Sequence, residues 1–449
     1  MAEAAVIATH EPEQKVELRR DVTIWGSYTW GYADVGADIY AALGLVIAAS
    51  QGLAPAAFAL AGLVYIMIGL AYTELASTYP VAGGGQYFTL RGLGDFWGFV
   101  AGAALLLDYT IDIALFAVAS AGYINFFSPF LFGIDFGKIS IAFGPFPDIK
   151  IVWLIETMLL IGFLIVVNIR GVRESSLLNE ALGLMDLLLE SSVIFFGFIL
   201  AWNPQLLLEQ WTHALQTLPL EKFMYGSSLA IISFVGLESI SQAAQETRRP
   251  ATVIPRTSIA LIFTVFIFAV GFSTVGLGIL RWEQFAENIG DPVAQLAKSI
   301  PYLGIIAGPF AAVLGATILL ISANTGVMGA SRLTYSMSQL HLATKWLDHV
   351  HPRFHTPVRT IVVFSLMGAL EAFLSFLTPS AMDTLGNMYA FGATLGYTLV
   401  FISPIVLRFK DPYSPRPYIM PINAKVKWHG RTVNFPVLGV LGMIGVSFM

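Results

Sequence analysis

The chain has 449 residues, of which 56% are hydrophobic and only 12% charged, with a formal net charge of −5 and no cysteine. Its mean hydropathy of +0.73 lies far above soluble-domain averages. A soluble catalytic domain is excluded, and so are disulfides, thiol catalysis and cysteine-held metals.

Residues 1–20 are polar and mixed in charge. They lack the basic-then-apolar order of a secretory signal and read as a cytoplasmic tail. From residue 21 to 449 the chain reads as one transmembrane domain. Apolar runs of about 20 residues, the length of a membrane-crossing helix, recur near 24–50, 55–79, 94–127, 149–169, 178–202, 225–246, 257–280, 301–330, 358–378 and 381–407. A further run begins near Phe435 and stops at Met449. It is too short to cross, so the expectation is a fragment that ends inside an eleventh helix.

Acidic residues interrupt these runs. Asp34 and Asp38, Asp108 and Asp112, and Asp186 and Glu190 are each spaced i, i+4, on one face of a helix, and Glu238 lies alone in the sixth run. A carboxylate in lipid costs a few kcal/mol, so each is expected to face a cavity, a proton or a cation. Like charges at this spacing disfavour joint ionisation, and each pair is expected to keep one proton. For Asp34, Asp186 and Glu190 a second reading stands equally, as protonated groups hydrogen-bonded between helices. Glu74, Glu156, Glu180 and Glu371 sit near helix ends or alone and read as structural or interfacial.

With the N-terminus inside, Lys138, Lys150, Lys222, Arg281 and Lys298 are the only ones of the 24 Lys and Arg residues on the outer side. This asymmetry is the positive-inside pattern and supports the helix count. It leaves no basic residue for the membrane interior.

In the first run, Trp30-Gly31-Tyr32-Ala33-Asp34-Val35-Gly36-Ala37-Asp38 places two glycines and two aspartates near mid-membrane. In the sixth, Ser233-Phe234-Val235-Gly236-Leu237-Glu238-Ser239 repeats the theme. Irregular backbone at that depth survives only beside a cavity or buried in protein. Interrupted helices at matching places in two halves point to a transporter's binding site. Helices one and six run in opposite directions, as an inverted repeat of five plus five requires, with halves near 22–202 and 225–407.

The motifs then become specific. Tyr72-Thr73-Glu74-Leu75 with Tyr79-Pro80-Val81-Ala82-Gly83-Gly84-Gly85-Gln86-Tyr87 resembles the E-L…P-x-x-G-G-x-Y signature of the amino acid–polyamine–organocation permease superfamily. Glu246-Thr247-Arg248-Arg249-Pro250 with Ile254-Pro255-Arg256 is similar to its E-x-x-R-P…I-P-R element. Asn324-Thr325-Gly326, Gly329-Ala330-Ser331-Arg332 and His351-Pro352-Arg353…Thr356-Pro357 resemble its eighth helix and the following loop. The matches run in order from about residue 20 to 420.

The resemblance implies an all-α polytopic fold of the leucine-transporter type, with discontinuous helices one and six. It also implies that backbone at the two breaks grips the substrate's polar head, at Val35, Gly36, Ala37 and Asp38 and at Ser233, Phe234, Val235 and Gly236. Helices three and eight would add Asp112 and Asn324. Glu238 is similar to the proton-sensing acid of arginine exchangers, although those carry an aromatic gate where this chain has Ile232. Asp108-Tyr109 resembles the third-helix L-x-D-Y element of the potassium-importing branch, and Asn168-Ile169-Arg170-Gly171 its fourth-helix end, which places Asp108 in ion or proton coupling. Val235 and Asp112 stand where that branch has coordinating threonines. Asp38 replaces a glycine or small residue of typical amino acid permeases and favours an amine or a cation.

The implied activity is secondary active uptake of amino acids, polyamines or related amines in a plasma or bacterial inner membrane, with a potassium importer as the alternative. Proton coupling is preferred, because the fifth run lacks the lysine that some proton-coupled relatives keep. Sodium is the other coupling ion to consider, with Ser322 or Ser331 as the hydroxyl. No cofactor, metal or nucleic acid is implied. The 7 histidines lie in the tail and loops, which leaves no imidazole at membrane depth for acid–base or metal chemistry. Residues 206–223 and 282–300 carry amphipathic patterns. The resemblance implies a helical extracellular lid at the second, and a helix on the membrane surface is the equal alternative.

Overall fold

The computed structural model describes residues 23–81, 83–144, 146–171, 176–237, 240–241, 244, 247–339, 342–354, 356–428 and 430–449. Glu238, Glu246 and the tail lie outside the described residues.

The first apolar run forms α1 (Ile24–Val35) and α2 (Asp38–Ser50), and the second α3 (Ala54–Thr78). Thr23 caps α1 by accepting from the Gly26 amide at 3.1 Å, and Pro55 opens α3, where a missing N–H costs nothing. A short helix, α4 (Gly84–Leu93), leads into the central helix α5 (Asp95–Asn125), followed by α6 (Ser128–Phe132). The fourth and fifth runs form α7 (Ile151–Arg170) and α8 (Ser176–Leu200). Next come α9 (Pro204–Thr217), α10 (Leu220–Leu229) with a 3₁₀ turn at Ala230–Phe234, and α11 (Pro250–Ile279). The chain continues through α12 (Trp282–Glu287), α13 (Pro292–Lys298), α14 (Gly304–Gln339), α15 (Val358–Ser375), α16 (Ala381–Lys410) and α17 (Val437–Phe448).

Among the described residues, the only strands form two antiparallel hairpins. β1 (Ile141–Phe143) pairs with β2 (Phe146–Ile149), and β3 (Asn423–Trp428) with β4 (Arg431–Pro436).

Among the described residues, eight helical segments are long and apolar enough to cross a membrane, and the first, Ile24–Thr78, contains both of the first two runs. The sixth run does not reach that length as helix because it breaks after α10. The chain is therefore an all-α polytopic membrane protein.

The outside of the bundle is apolar. Leu159 and Phe163 on α7, Leu188, Phe195 and Ile199 on α8, and Phe263 and Ile267 on α11 are exposed. The interior is lined with small side chains, including Ala41, Ala54, Ala57, Ala114, Ala117, Ala119 and Ala121. In lipid the hydrophobic effect gives helices no reason to associate, so small residues that allow close backbone approach are what pack them. α5 lies at the centre, against α4, α7, α14, α15 and α16.

Helix lies over both amphipathic loops. Asn203 caps α9 with bonds from the Gln205 and Leu206 amides. Gln210 on α9 is buried, donates to the carbonyls of Leu277 and Leu280 and accepts from the Trp282 amide at 2.8 Å. That side chain pins α9 to the end of α11 and the start of α12. Phe285, Val293 and Leu296 are fully buried, and α12 and α13 pack on α2 and α14. The second loop therefore sits on the protein as a lid over α2, and its membrane-surface reading is set aside.

Candidate substrate and coupling site

The two breaks differ in kind. At the first, the ladder continues through Gly36 N–H to Tyr32 O at 2.7 Å, then shifts to i−3 bonds from Ile39 to Gly36 and from Tyr40 to Ala37. Gly36 (φ −63°, ψ −37°) and Ala37 (φ −57°, ψ −28°) both stay in the right-handed helical region. This is a tight joint, not an unwound stretch. The second break is unwound. The 3₁₀ turn ends at Phe234, Val235 is extended (φ −85°, ψ 157°), and Gly236 has φ +111°, a value that glycine alone holds without strain.

The breaks meet. A methyl group placed on Gly236 would lie 2.8 Å from Val35 Cγ2 and 3.1 Å from Asp34 Oδ2. Phe234 stacks on Tyr65 of α3 with centroids 4.9 Å apart, and Tyr397 of α16 donates to the Phe234 carbonyl at 3.2 Å. The expected set Val35, Gly36, Ala37, Asp38, Ser233, Phe234, Val235 and Gly236 is buried throughout. A cavity of about 10 Å³ lies between the breaks, lined by Tyr32, Val35, Gly36, Ile39, Glu190, Ser233, Val265, Phe268 and Ala269. That volume is about the least that holds one water. A larger cavity of about 850 Å³ lies among the loops at the lid end, with Asn125, Lys150, Trp153 and Asp291 in its wall, away from the breaks.

Asp38 is the first residue of α2 and is buried beside this joint. Asp108 and Asp112 are buried on α5. Gly326 of α14 packs on Asp112 Cβ, and Gly392 of α16 approaches Asp108 Oδ1. The amide oxygen of Asn324 is taken by Asn168 Nδ2 of α7 at 2.6 Å, which makes this residue a tie between α14 and α7. Of the two hydroxyls considered for sodium, Ser331 donates to the Met328 carbonyl. Ser322 Oγ is buried with no hydrogen-bond partner among the described residues.

Two tyrosines carry a role that the sequence reading did not assign. Tyr40 Oη on α2 donates to Asp186 Oδ1 at 2.7 Å, and Tyr32 Oη on α1 donates to Glu190 Oε2. The helix-five acids are thus clamped to both halves of the first helix. The signal was present: Tyr32 and Tyr40 stand four residues to either side of Gly36, and a buried phenol needs a partner. Tyr123 of α5 extends the chain, donating to the Tyr40 carbonyl at 2.9 Å and accepting from the Val293 amide of the lid at 3.3 Å.

At the opposite end of the bundle Glu74 is not isolated. Arg408, a buried residue of α16, meets both its carboxylate oxygens, with Nε to Oε1 at 2.8 Å, and the Met420 amide donates to Oε2 at 2.9 Å. Among the described residues Arg408 is the only buried Lys or Arg.

Interrupted helices that meet in the core, an apolar exterior and a lid over one end define a multi-pass helical permease. A family model for amino acid permeases matches residues 26–449, and the chain belongs to that family, within the amino acid–polyamine–organocation superfamily. It is 27% identical over 405 residues to the branched-chain amino acid permease BcaP of Bacillus subtilis (strain 168), covering 87% of this chain and 81% of that protein. It is 25% identical over 386 residues to a methylthioribose transporter of the same organism, covering 84% and 78%. It is 28% identical over 400 residues to human cationic amino acid transporter 4, covering 85% of this chain and 59% of the relative.

Proposed function

We propose that this permease is a proton-coupled secondary carrier that takes up amino acids or related amines by alternating access, with a preference for amine-bearing or cationic solutes. The observation that carries this reading is the meeting of the two breaks at Gly236, Val35 and Asp34, beside a buried Asp38. Break-flanking amide and carbonyl ends offer complementary charge to an amino acid's carboxylate and amine. An ionised Asp38 attracts the amine and repels the carboxylate. The names of the relatives support the solute class. The proposed orientation, from the loop charges, puts the N-terminus in the cytoplasm of a plasma or bacterial inner membrane. Glu238 stays a candidate proton acid from the resemblance alone.

A potassium importer is the second reading, favoured by the burial of Asp38, Asp108 and Asp112 near the bundle's centre. Thermal stabilisation of purified protein across potassium, putrescine, L-arginine, L-lysine and L-leucine separates the two. Stabilisation by the cationic amino acids or putrescine supports the carrier as stated. Stabilisation by potassium alone replaces it with the second reading, and stabilisation by L-leucine alone removes the cationic preference.

A further inference from the structure

We propose that Asp186 and Glu190 form the proton-binding site that drives transport, a carboxyl pair whose charge state sets how firmly both halves of the first helix are held to α8. The inference rests on the carrier reading above and names a different group for the proton than Glu238.

Four observations converge on the pair. First, the two side chains share one face of α8, at most 1% exposed. Second, each accepts from a tyrosine on a different side of the first-helix joint, Asp186 from Tyr40 and Glu190 from Tyr32. Third, each keeps one buried oxygen, Asp186 Oδ2 and Glu190 Oε1, with no hydrogen-bond partner among the described residues. Fourth, Glu190 borders the water-sized cavity between the breaks, and so does Ser233, whose Oγ is likewise buried and unpartnered among the described residues. Ser233 belongs to the other broken helix, so the unfilled hydrogen-bonding capacity faces the cavity from two independent elements.

The surroundings leave a proton as the ligand that fits. α8 packs on α1, α11 and α14. α1 brings Tyr28, Tyr32 and Asp34, and α2, through its tyrosine bond, brings Tyr40 with Asp38 nearby in sequence. Tyr123 of α5 and Asp291 of the lid complete the chain of ionisable groups linked to Tyr40. α11 has a single charged residue, Arg256, near its start, and α14 has Arg332 with Tyr335 in its final turns. Among the described residues of these elements, no basic group therefore stands against the pair. Two negative charges one turn apart in this setting are too costly, so the pair cycles between one proton and two.

Taking up the second proton forms one O–H bond on the remaining carboxylate and removes the pair's last negative charge. The tyrosine bond to that oxygen changes from charge-assisted to neutral, roughly halving its strength. Both halves of the first helix are then held by neutral bonds alone, and the break at Gly36 is free to hinge. Release of the proton to the opposite side restores the clamp, so one proton crosses per cycle.

The test uses the full-length protein in proteoliposomes, with radiolabelled L-arginine and L-leucine as probes. Asp186→Asn and Glu190→Gln are expected to lose at least tenfold in accumulation driven by a proton gradient, and to lose the pH dependence of uptake, while counterflow exchange continues. Tyr32→Phe and Tyr40→Phe keep shape and packing, and are expected to move the midpoint of the pH profile, which a packing role would leave in place. Infrared titration of the purified protein needs no substrate. A carboxylic-acid C=O band that titrates in the wild type and vanishes in Glu190→Gln supports the pair. Unchanged accumulation and pH profile in both carboxyl variants would overturn the proposal, as would loss of pH dependence in Glu238→Gln with the infrared band of the pair never titrating. If the wild type moves neither probe, the carrier reading loses support, and the infrared band alone decides whether the pair binds a proton.

Discussion

Glu74 of α3 and Arg408 of α16 stand 334 residues apart in sequence and form a buried two-pronged ion pair. Arg408 Nη1 also donates to the Asn434 carbonyl at 2.7 Å, and Arg416 Nε lies 3.6 Å from Glu74. One carboxylate thus joins the second long helix, the end of α16 and the β3–β4 hairpin. Removing one partner leaves the other as a buried, uncompensated charge, at a cost of about 3–5 kcal/mol. Arg408→Met is expected to lower the thermal unfolding midpoint of purified protein sharply, while Glu74→Met combined with Arg408→Met loses less than the sum of the single variants. A double variant as damaged as that sum would mean that the two residues act independently.

Gly236 carries a testable strain. A side chain there meets both a disfavoured φ of +111° and Val35 Cγ2 at 2.8 Å. Gly94 also has positive φ, at +96°, but nothing lies within 4 Å of a methyl placed on it. Both alanine variants pay roughly 1–3 kcal/mol in backbone strain. Gly236→Ala alone is expected to reduce uptake by tenfold or more, because it pries the two breaks apart. Equal losses of uptake in the two variants would show that strain, and not the approach of the breaks, is what matters.

Asp291 in the lid gives a pH dependence of stability outside the membrane. Burial is the main cause that pushes its carboxyl from 3.8 up to about 7, partly offset by the bond from Gln295 Nε2 at 2.8 Å. A raised folded-state value means that the folded protein holds the proton more tightly than the unfolded chain. The associated stability is complete below about pH 4 and is lost as pH rises toward 7, by at most about 4 kcal/mol. Asp291→Asn imitates the protonated form and keeps an oxygen for Gln295. The wild-type unfolding midpoint is expected to fall relative to that of the variant between pH 5 and 8, and parallel curves would remove Asp291 as the cause.

The apolar runs predicted the helices well because membrane helices must satisfy their backbone internally, which leaves a plain length-and-hydropathy signal. The break in the sixth run was equally legible, since Gly236 sits among polar groups in an apolar segment. The first break is tighter than its glycine suggests. Gly36 and Ala37 both tolerate helical angles, and the neighbouring ladder bonds keep them there. The apolar run near 381–407 stops one residue short of Arg408, yet α16 runs on to Lys410 and Arg408 is buried. The tyrosine clamp was only half legible: the spacing about Gly36 is in the sequence, the partners are not. Tyr32 and Tyr40 look like packing aromatics until their partners, 158 and 146 residues away, are brought beside them by the fold.

Asp38 decides selectivity in the proposed carrier, and its position makes the expectation specific. At the first residue of α2 a buried carboxylate stands beside the joint between the two halves of the first helix, where it attracts an amine and repels a carboxylate. Replacing Asp38 with serine removes both the attraction for an amine and the repulsion of a carboxylate. Each lost charge-assisted contact is worth roughly 1.5–3 kcal/mol, or about ten- to hundredfold in affinity. Asp38→Ser is therefore expected to weaken competition by L-arginine and putrescine in that range while leaving or improving competition by L-leucine. Competition assays on the same proteoliposome preparation check it, and an equal loss for all three solutes would remove Asp38 from the selectivity role.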